Sequence, residues 1–121
     1  MPREPIRREL LTWEDVEALM EVLLGQLRQA GVFDALLMIT RGGIIPGGMI
    51  SEALDIRDVL TAAVHFPAAI GEQPLAAWPE FIQFPADELL QGRRVLVVDD
   101  VWGSGRTSTA VAGRVEAAGG K

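Results

Sequence analysis

Residues 95 to 107 read Val95-Leu96-Val97-Val98-Asp99-Asp100-Val101-Trp102-Gly103-Ser104-Gly105-Arg106-Thr107. Four apolar residues run directly into two adjacent carboxylates, and a Gly/Ser turn then opens a helical pattern. A run that is apolar on both faces suits a central parallel strand. The composition after it predicts a helix over Thr107 to Ala118, ended by Gly119-Gly120. Two like charges side by side repel, so the acid doublet is costly unless something cationic or hydroxylic sits on it. The stretch therefore predicts a strand, a loop and a helix, with a ligand at the carboxyl end of the strand.

The same order of elements recurs upstream. Ala35-Leu36-Leu37-Met38-Ile39-Thr40 is a second continuous apolar run of strand length, broken by Arg41-Gly42-Gly43. Pro46 suits the first position of a short helix over 46–54, rich in small residues and able to lie close to a sheet. Asp58 precedes a further strand, Val59 to Phe66. Before all of these, Thr12-Trp13-Glu14-Asp15 resembles a capping box with Asp in place of the usual Glu. Val16, Leu19, Met20, Leu23, Leu24 and Leu27 then fall on one helical stripe, which reads as core cover. Gly31 is the expected stop. The stretch 67–92 differs: it carries Pro67, Pro74, Pro79 and Pro85 and only short apolar pieces such as Phe81-Ile82. It reads as a lid-like excursion with a small hairpin, since long irregular connections are often binding loops.

This succession predicts one α/β domain over 1–121, an open, mostly parallel twisted sheet flanked by helices. Ligands of such sheets bind beyond the carboxyl ends of the strands, so loops 40–43 and 99–107 should converge on one crevice. The chain would then lack a further strand expected beyond Lys121.

Composition narrows the function. Hydrophobic residues make up 49% and charged residues 23% of the 121 residues, as in ordinary folded domains. The net charge of -6 argues against a nucleic-acid surface, whose affinity comes from a basic face. Any anionic ligand must be held by local groups. Cysteine is absent, which excludes disulfides, thiolate chemistry and Cys-based metal sites. No apolar run approaches a membrane span and no signal-peptide pattern opens the chain, so a cytoplasmic location is the expectation.

The glycines of Gly103-Ser104-Gly105-Arg106-Thr107 let several backbone N–H groups point into one concavity, and the following helix adds its positive end. Ser104 and Thr107 add hydroxyl donors. Taken alone, the run is equally a plain strand-to-helix turn with Thr107 as cap. It is no Walker loop, because the chain has no lysine except Lys121. The aspartates tip the balance. Carboxylates accept hydrogen bonds, and vicinal ribose hydroxyls offer a matching pair of donors. One ligand could therefore present sugar hydroxyls to Asp99 and Asp100 and a phosphate to the loop. Mg²⁺ bound to the same ligand would relieve the repulsion between the acids.

Val95 to Thr107 resembles the PRPP (5-phosphoribosyl 1-diphosphate) motif of the type I phosphoribosyltransferases. Thr40-Arg41-Gly42-Gly43-Ile44-Ile45-Pro46-Gly47 is similar to the pyrophosphate loop of their xanthine/guanine/hypoxanthine branch. Thr12-Trp13 and Leu54-Asp55-Ile56-Arg57 resemble bacterial xanthine-guanine members. The resemblance implies the Rossmann-like fold of that family and a transfer at the ribose C1, with a nucleobase as second substrate. The 5′-phosphate would lie on Gly103, Ser104, Gly105, Arg106 and Thr107, and the 2′ and 3′ hydroxyls on Asp99 and Asp100 as catalytic residues. Mg²⁺ would be held by Asp99 and Asp100 through the ligand or water, and the pyrophosphate by Arg41, Gly42 and Gly43. Glycines 42 and 43 would supply the unusual backbone such a loop needs. The implied partners are small molecules, with no nucleic acid and no membrane, and a homo-oligomer is expected.

The pattern departs from the family in four places. Gly103 stands where purine-type members carry an acid. Trp102 replaces an aliphatic residue beside the base position, where an indole could stack on a planar ring or simply fill the core. The excursion has no tyrosine and no Arg or Lys between Arg57 and Arg93, but carries Glu72, Glu80, Asp87 and Glu88. The residues that read the purine would follow Lys121. His65, at a strand end near the excursion, reads first as a packed strand residue. Two function classes remain: an active phosphoribosyltransferase, and a PRPP- or nucleotide-binding regulatory module without turnover. A two-component receiver also opens with such a strand, but needs a later phosphoacceptor aspartate, and no aspartate follows Asp100.

Overall fold

The structure is a computed structural model that describes residues 11–65, 79–100 and 105–121. The chain divides into two compact units, Met1–Gly31 and Val32–Lys121.

In the first unit, α1 spans Trp13–Ala30. Its start is fixed by the expected capping box: the Thr12 hydroxyl accepts from the Asp15 N–H at 3.1 Å, and the Asp15 carboxylate accepts from the Thr12 N–H at 2.9 Å. Glu14 and Asp15 in the first turn and Arg28 in the last complement the helix dipole. Gly31 ends the helix at φ 112°, a conformation that L side chains rarely adopt. The apolar stripe is narrower than its spacing predicts. Leu24 is buried and Val16, Met20 and Leu27 are half-buried, but Leu19 is 61% exposed and Leu23 is also exposed. Those two lie on the outer flank of an arc wider than one contact face.

The second unit is built on four strands: β1 (Ala35–Ile39), β2 (Val59–His65), β3 (Glu80–Gln83) and β4 (Val95–Val98). Their order is β3-β2-β1-β4. β1 pairs in parallel with both β2 and β4, setting Leu37 beside Leu60 and Val97. β3 returns antiparallel on β2, with an irregularity at Ala63/Val64. The central strand is accordingly the most buried, as its unbroken apolar run requires.

The two helices of this unit, α2 (Ile44–Leu54) and α3 (Arg106–Ala117), follow β1 and β4. Val111, Val115 and Ala118 join Ala35, Leu37, Ile39, Ala62, Leu90 and Val95 in the main core. The opposite face of β1 receives α2. Gly47 lies so close to Met38 that a Cβ there would come within 2.6 Å of its Sδ. Small residues thus let the helix approach the strand, as the sequence predicts. Pro46 occupies the third helical position, not the first, because the helix already begins at Ile44. The shift costs no hydrogen bond: the first turn's N–H groups lack helical partners, and the first bond needed is Gly47 N–H to Gly43 O at 2.8 Å.

Within the excursion expected over 67–92, residues 66–78 lie outside the described ones, while residues 80–90 are part of the framework. Phe81 and Phe84 meet edge to face at 5.3 Å and pack against the core, and Leu90 is fully buried. A 3₁₀ turn, Asp87–Leu89, links them. Pro79 before these apolar residues and Pro85 among them hide any period from the sequence. At the far end of the sheet, Arg93 pairs with Asp58 at 2.8 Å and the Asp34 carboxylate accepts the Arg94 N–H at 2.8 Å. Residues 119–121 run beside the start of β4, where the Val95 N–H donates to Lys121 O and the Lys121 N–H to Arg93 O.

Candidate active site

β1, β2 and β4 run in parallel, so their carboxyl ends lie at one end of the sheet. Loop 40–43 leaves β1 there and Asp99-Asp100 leave β4 there, on neighbouring strands. The two loops meet. At Gly42 an added Cβ would overlap the Asp100 carboxylate, with Oδ2 only 2.6 Å away. At Gly43 it would overlap Val98 O and lie 2.7 Å from Ile39 O. Gly43 is required for space against fixed backbone, whereas at Gly42 the Asp100 side chain would have to move. Neither has a positive φ, so the unusual backbone conformation expected of them is not what selects glycine. The Thr40–Arg41 peptide is cis.

The acids differ in setting. Asp99 is half-buried and Asp100 is exposed. The Asp100 N–H donates to Asp99 Oδ1 at 2.8 Å, which fixes the turn at the strand end. Burial pushes the Asp99 carboxyl above the ordinary carboxylate range. The hydrogen bond from the Asp100 N–H opposes this, and the neighbouring Asp100 side chain reinforces it.

Two helix N-termini flank the pair. α2 begins at Gly43 and α3 at Gly105, the latter in the left-handed region (φ 78°). Neither start has a side-chain cap among the described residues, and neither first turn carries an acid. Their positive ends favour anions, although at α2 the Gly43 and Ile44 N–H groups already donate to Ile39 O and Arg41 O.

Among the sequence-predicted residues, Arg41, Gly42, Gly43, Asp99, Asp100, Gly105, Arg106 and Thr107 are described. Arg41 is exposed, Gly43 and Gly105 are buried, and Arg106 and Thr107 are half-buried. Trp102, Gly103 and Ser104 lie outside the described residues. His65 ends β2, exposed, opposite Glu80 of β3. The Asp99-Asp100 pair offers hard oxygen donors suited to Mg²⁺, and no group of three or more His, Cys, Asp or Glu forms a metal cage among the described residues. That donor set fits a cation arriving with its ligand. What the sequence did not reveal was that α2 begins as early as Ile44, directly after Gly43.

An open, mostly parallel sheet with an acid doublet at the carboxyl end of one strand and a glycine turn at that of its neighbour defines an α/β protein with its candidate site at that end of the sheet. The phosphoribosyl transferase domain model matches residues 7–121, and the chain belongs to that family, in its type I branch. A xanthine-guanine phosphoribosyltransferase of Cereibacter sphaeroides is 39% identical over 94 residues, covering 77% of this chain and 54% of its own. An adenine phosphoribosyltransferase of Chlorobaculum tepidum is 37% identical over 91 residues, covering 73% and 51%. The chain spans about half the length of the curated relatives it matches. Among solved structures, a purine phosphoribosyltransferase from Pyrococcus horikoshii superposes with a TM-score of 0.76 at 28% identity, over 92% of this chain and 69% of that one. A Neisseria gonorrhoeae protein with bound ppGpp gives 0.75 at 28% identity, over 88% and 62%. The named transferases are glycosyltransferases, and the open parallel sheet is the family's fold. No helix among the described residues is long and apolar enough to cross a membrane.

Proposed function

We propose that this chain binds Mg-PRPP and transfers its 5-phosphoribosyl group to a nucleobase, a purine by its relatives, with release of pyrophosphate. The observation that supports this reading is the meeting of Gly42 with the Asp100 carboxylate, because it joins the glycine turn after β1 to the acid doublet after β4. The 5′-phosphate would rest on residues 103–107 at the start of α3. The pyrophosphate would rest on Arg41, Gly42 and Gly43 at the start of α2. Between them, Asp99 and Asp100 would accept hydrogen bonds from the 2′ and 3′ hydroxyls.

In the reaction the bond from C1 to the pyrophosphate oxygen breaks, a bond from C1 to a base nitrogen forms, and that nitrogen's proton passes to solvent. Positive charge grows on the ribose ring as the leaving group departs. Asp99 and Asp100 stabilise that charge, while the loop amides and Arg41 stabilise the negative charge collecting on pyrophosphate. Mg²⁺, held by Asp99 and Asp100 directly or through water, would supply further neutralisation of the diphosphate. The small molecules are the only partners this requires, in a cytoplasmic setting.

Nucleotide formation from PRPP and a panel of bases tests the proposal. Asp100→Asn should abolish turnover and weaken Mg-PRPP binding, and Ser104→Ala should cost less because the loop amides remain. Unchanged kinetics in Asp100→Asn would overturn the site. A second reading, a regulatory module that binds a nucleotide without turnover, is favoured by the relative with bound ppGpp and by the lack of Lys and Arg between Arg57 and Arg93. Ligand binding without product for any base would select it.

A further inference from the structure

We infer that His65 is a further anion-binding residue, whose imidazolium form draws the diphosphate end of the ligand to loop 40–43. The inference rests on reading that loop as the pyrophosphate site. Its basis is where the third parallel strand ends. β2 pairs in parallel with β1, so its carboxyl end opens at the same end of the sheet as loop 40–43. The Thr40 N–H donates to Ala62 O where β1 gives way to its loop, whereas β2 runs on to His65. At about 3.3 Å per residue, His65 stands roughly 7 Å past that level, one strand spacing from the loop. Leu60, Ala62 and Val64 pack on the main core, so alternation sets His65 on the opposite face, where α2 lies on β1. Loop 40–43 leads into that helix. The sequence reads His65 as a packed residue, yet it is exposed.

The charges around it give this position its effect. His65 is the chain's only histidine, and no Lys or Arg occurs between Arg57 and Arg93. On β3, the exposed Glu80 stands opposite His65 in register. α2 carries one charged residue, Glu52, in its last turn. Arg41 is the cation of loop 40–43, and Asp99 and Asp100 follow β4 on the other side of β1. An imidazole gains its proton as pH falls from about 8 to 5. Protonated, His65 offsets Glu80 and attracts a diphosphate; neutral, it leaves Glu80 to repel the anion. Both residues are exposed, so water limits the effect to roughly three- to tenfold in affinity.

Calorimetric titration of inorganic pyrophosphate with MgCl₂, at about pH 5.5 and about pH 8.5, tests this in the unaltered chain, His65→Gln, His65→Arg and Glu80→Gln. Comparing each variant with the unaltered chain at the same pH cancels protonation of pyrophosphate and of Asp99. His65→Gln should bind roughly three- to tenfold more weakly at the lower pH and equally well at the higher. His65→Arg, with its charge fixed, should bind more tightly than the unaltered chain at the higher pH, and so should Glu80→Gln. If His65→Gln matches the unaltered chain at both pH values, or weakens binding equally at both, the inference is overturned although the pyrophosphate site stands. If the unaltered chain binds no pyrophosphate at either pH, the reading of loop 40–43 itself falls. Circular dichroism of each variant establishes that the fold is intact.

Discussion

At Gly43 a methyl group would meet backbone atoms of two paired strands, Val98 O and Ile39 O, whereas at Gly42 it would meet only the end of a rotatable side chain. Adjacent glycines should therefore fail in different ways. Gly43→Ala should destabilise the protein by about 1–3 kcal/mol, because β1 and β4 cannot part without losing their pairing. Gly42→Ala should change stability by less than about 0.5 kcal/mol, yet displace Asp100 and lower kcat/KM roughly 10²-fold. Melting curves beside steady-state kinetics separate the two. Asp99 makes a third case. Its raised pKa means that the folded state holds the proton more tightly than the unfolded chain. The stability this gives is complete below the ordinary carboxylate pKa and is lost as pH rises through the raised value. Asp99→Asn should thus raise Tm at neutral pH, and the gain should vanish in acid; a gain that persists at low pH would contradict the assigned cause. The residues of the site were legible because acids and glycines at strand ends are chemically unusual. Which glycine guards the fold and which borders the Asp100 carboxylate depends on what stands across from each.

Among the elements, α3 shows how a helix that follows the acid doublet is held at its other end. Arg114 in its last turn reaches Asp87 at 3.1 Å and lies 5.2 Å over the Phe84 ring. The ion pair is partly exposed and contributes about 0–1 kcal/mol, and the ring contact adds about 0.5–1 kcal/mol. Arg114→Ala should cost about 1–2 kcal/mol in urea unfolding, and Asp87→Asn less, since the ring contact survives. α1 and β4 could be placed from sequence because a capping box and an apolar run of strand length are local signals. β3 and the 3₁₀ turn could not. Their apolar residues are separated by Pro85 and short polar pieces, and only docking on β2 and the core gives them a period.

For the molecule as a whole, the family match from residue 7 to 121 and the parallel sheet agree with what the acid doublet and the Arg-Gly-Gly turn imply. The sequence by itself determined the helices, the parallel strands, the two loops and the kinds of group they bring, because capping, apolar runs and glycine turns act over a few residues. Only the tertiary structure decided that β4 lies beside β1, so that Asp100 comes against Gly42 across 58 residues of chain. It also decided that the second half of the excursion belongs to the core. The reason is that strand order and side-chain-free approach are settled by burial and backbone pairing between distant segments, which no local pattern records.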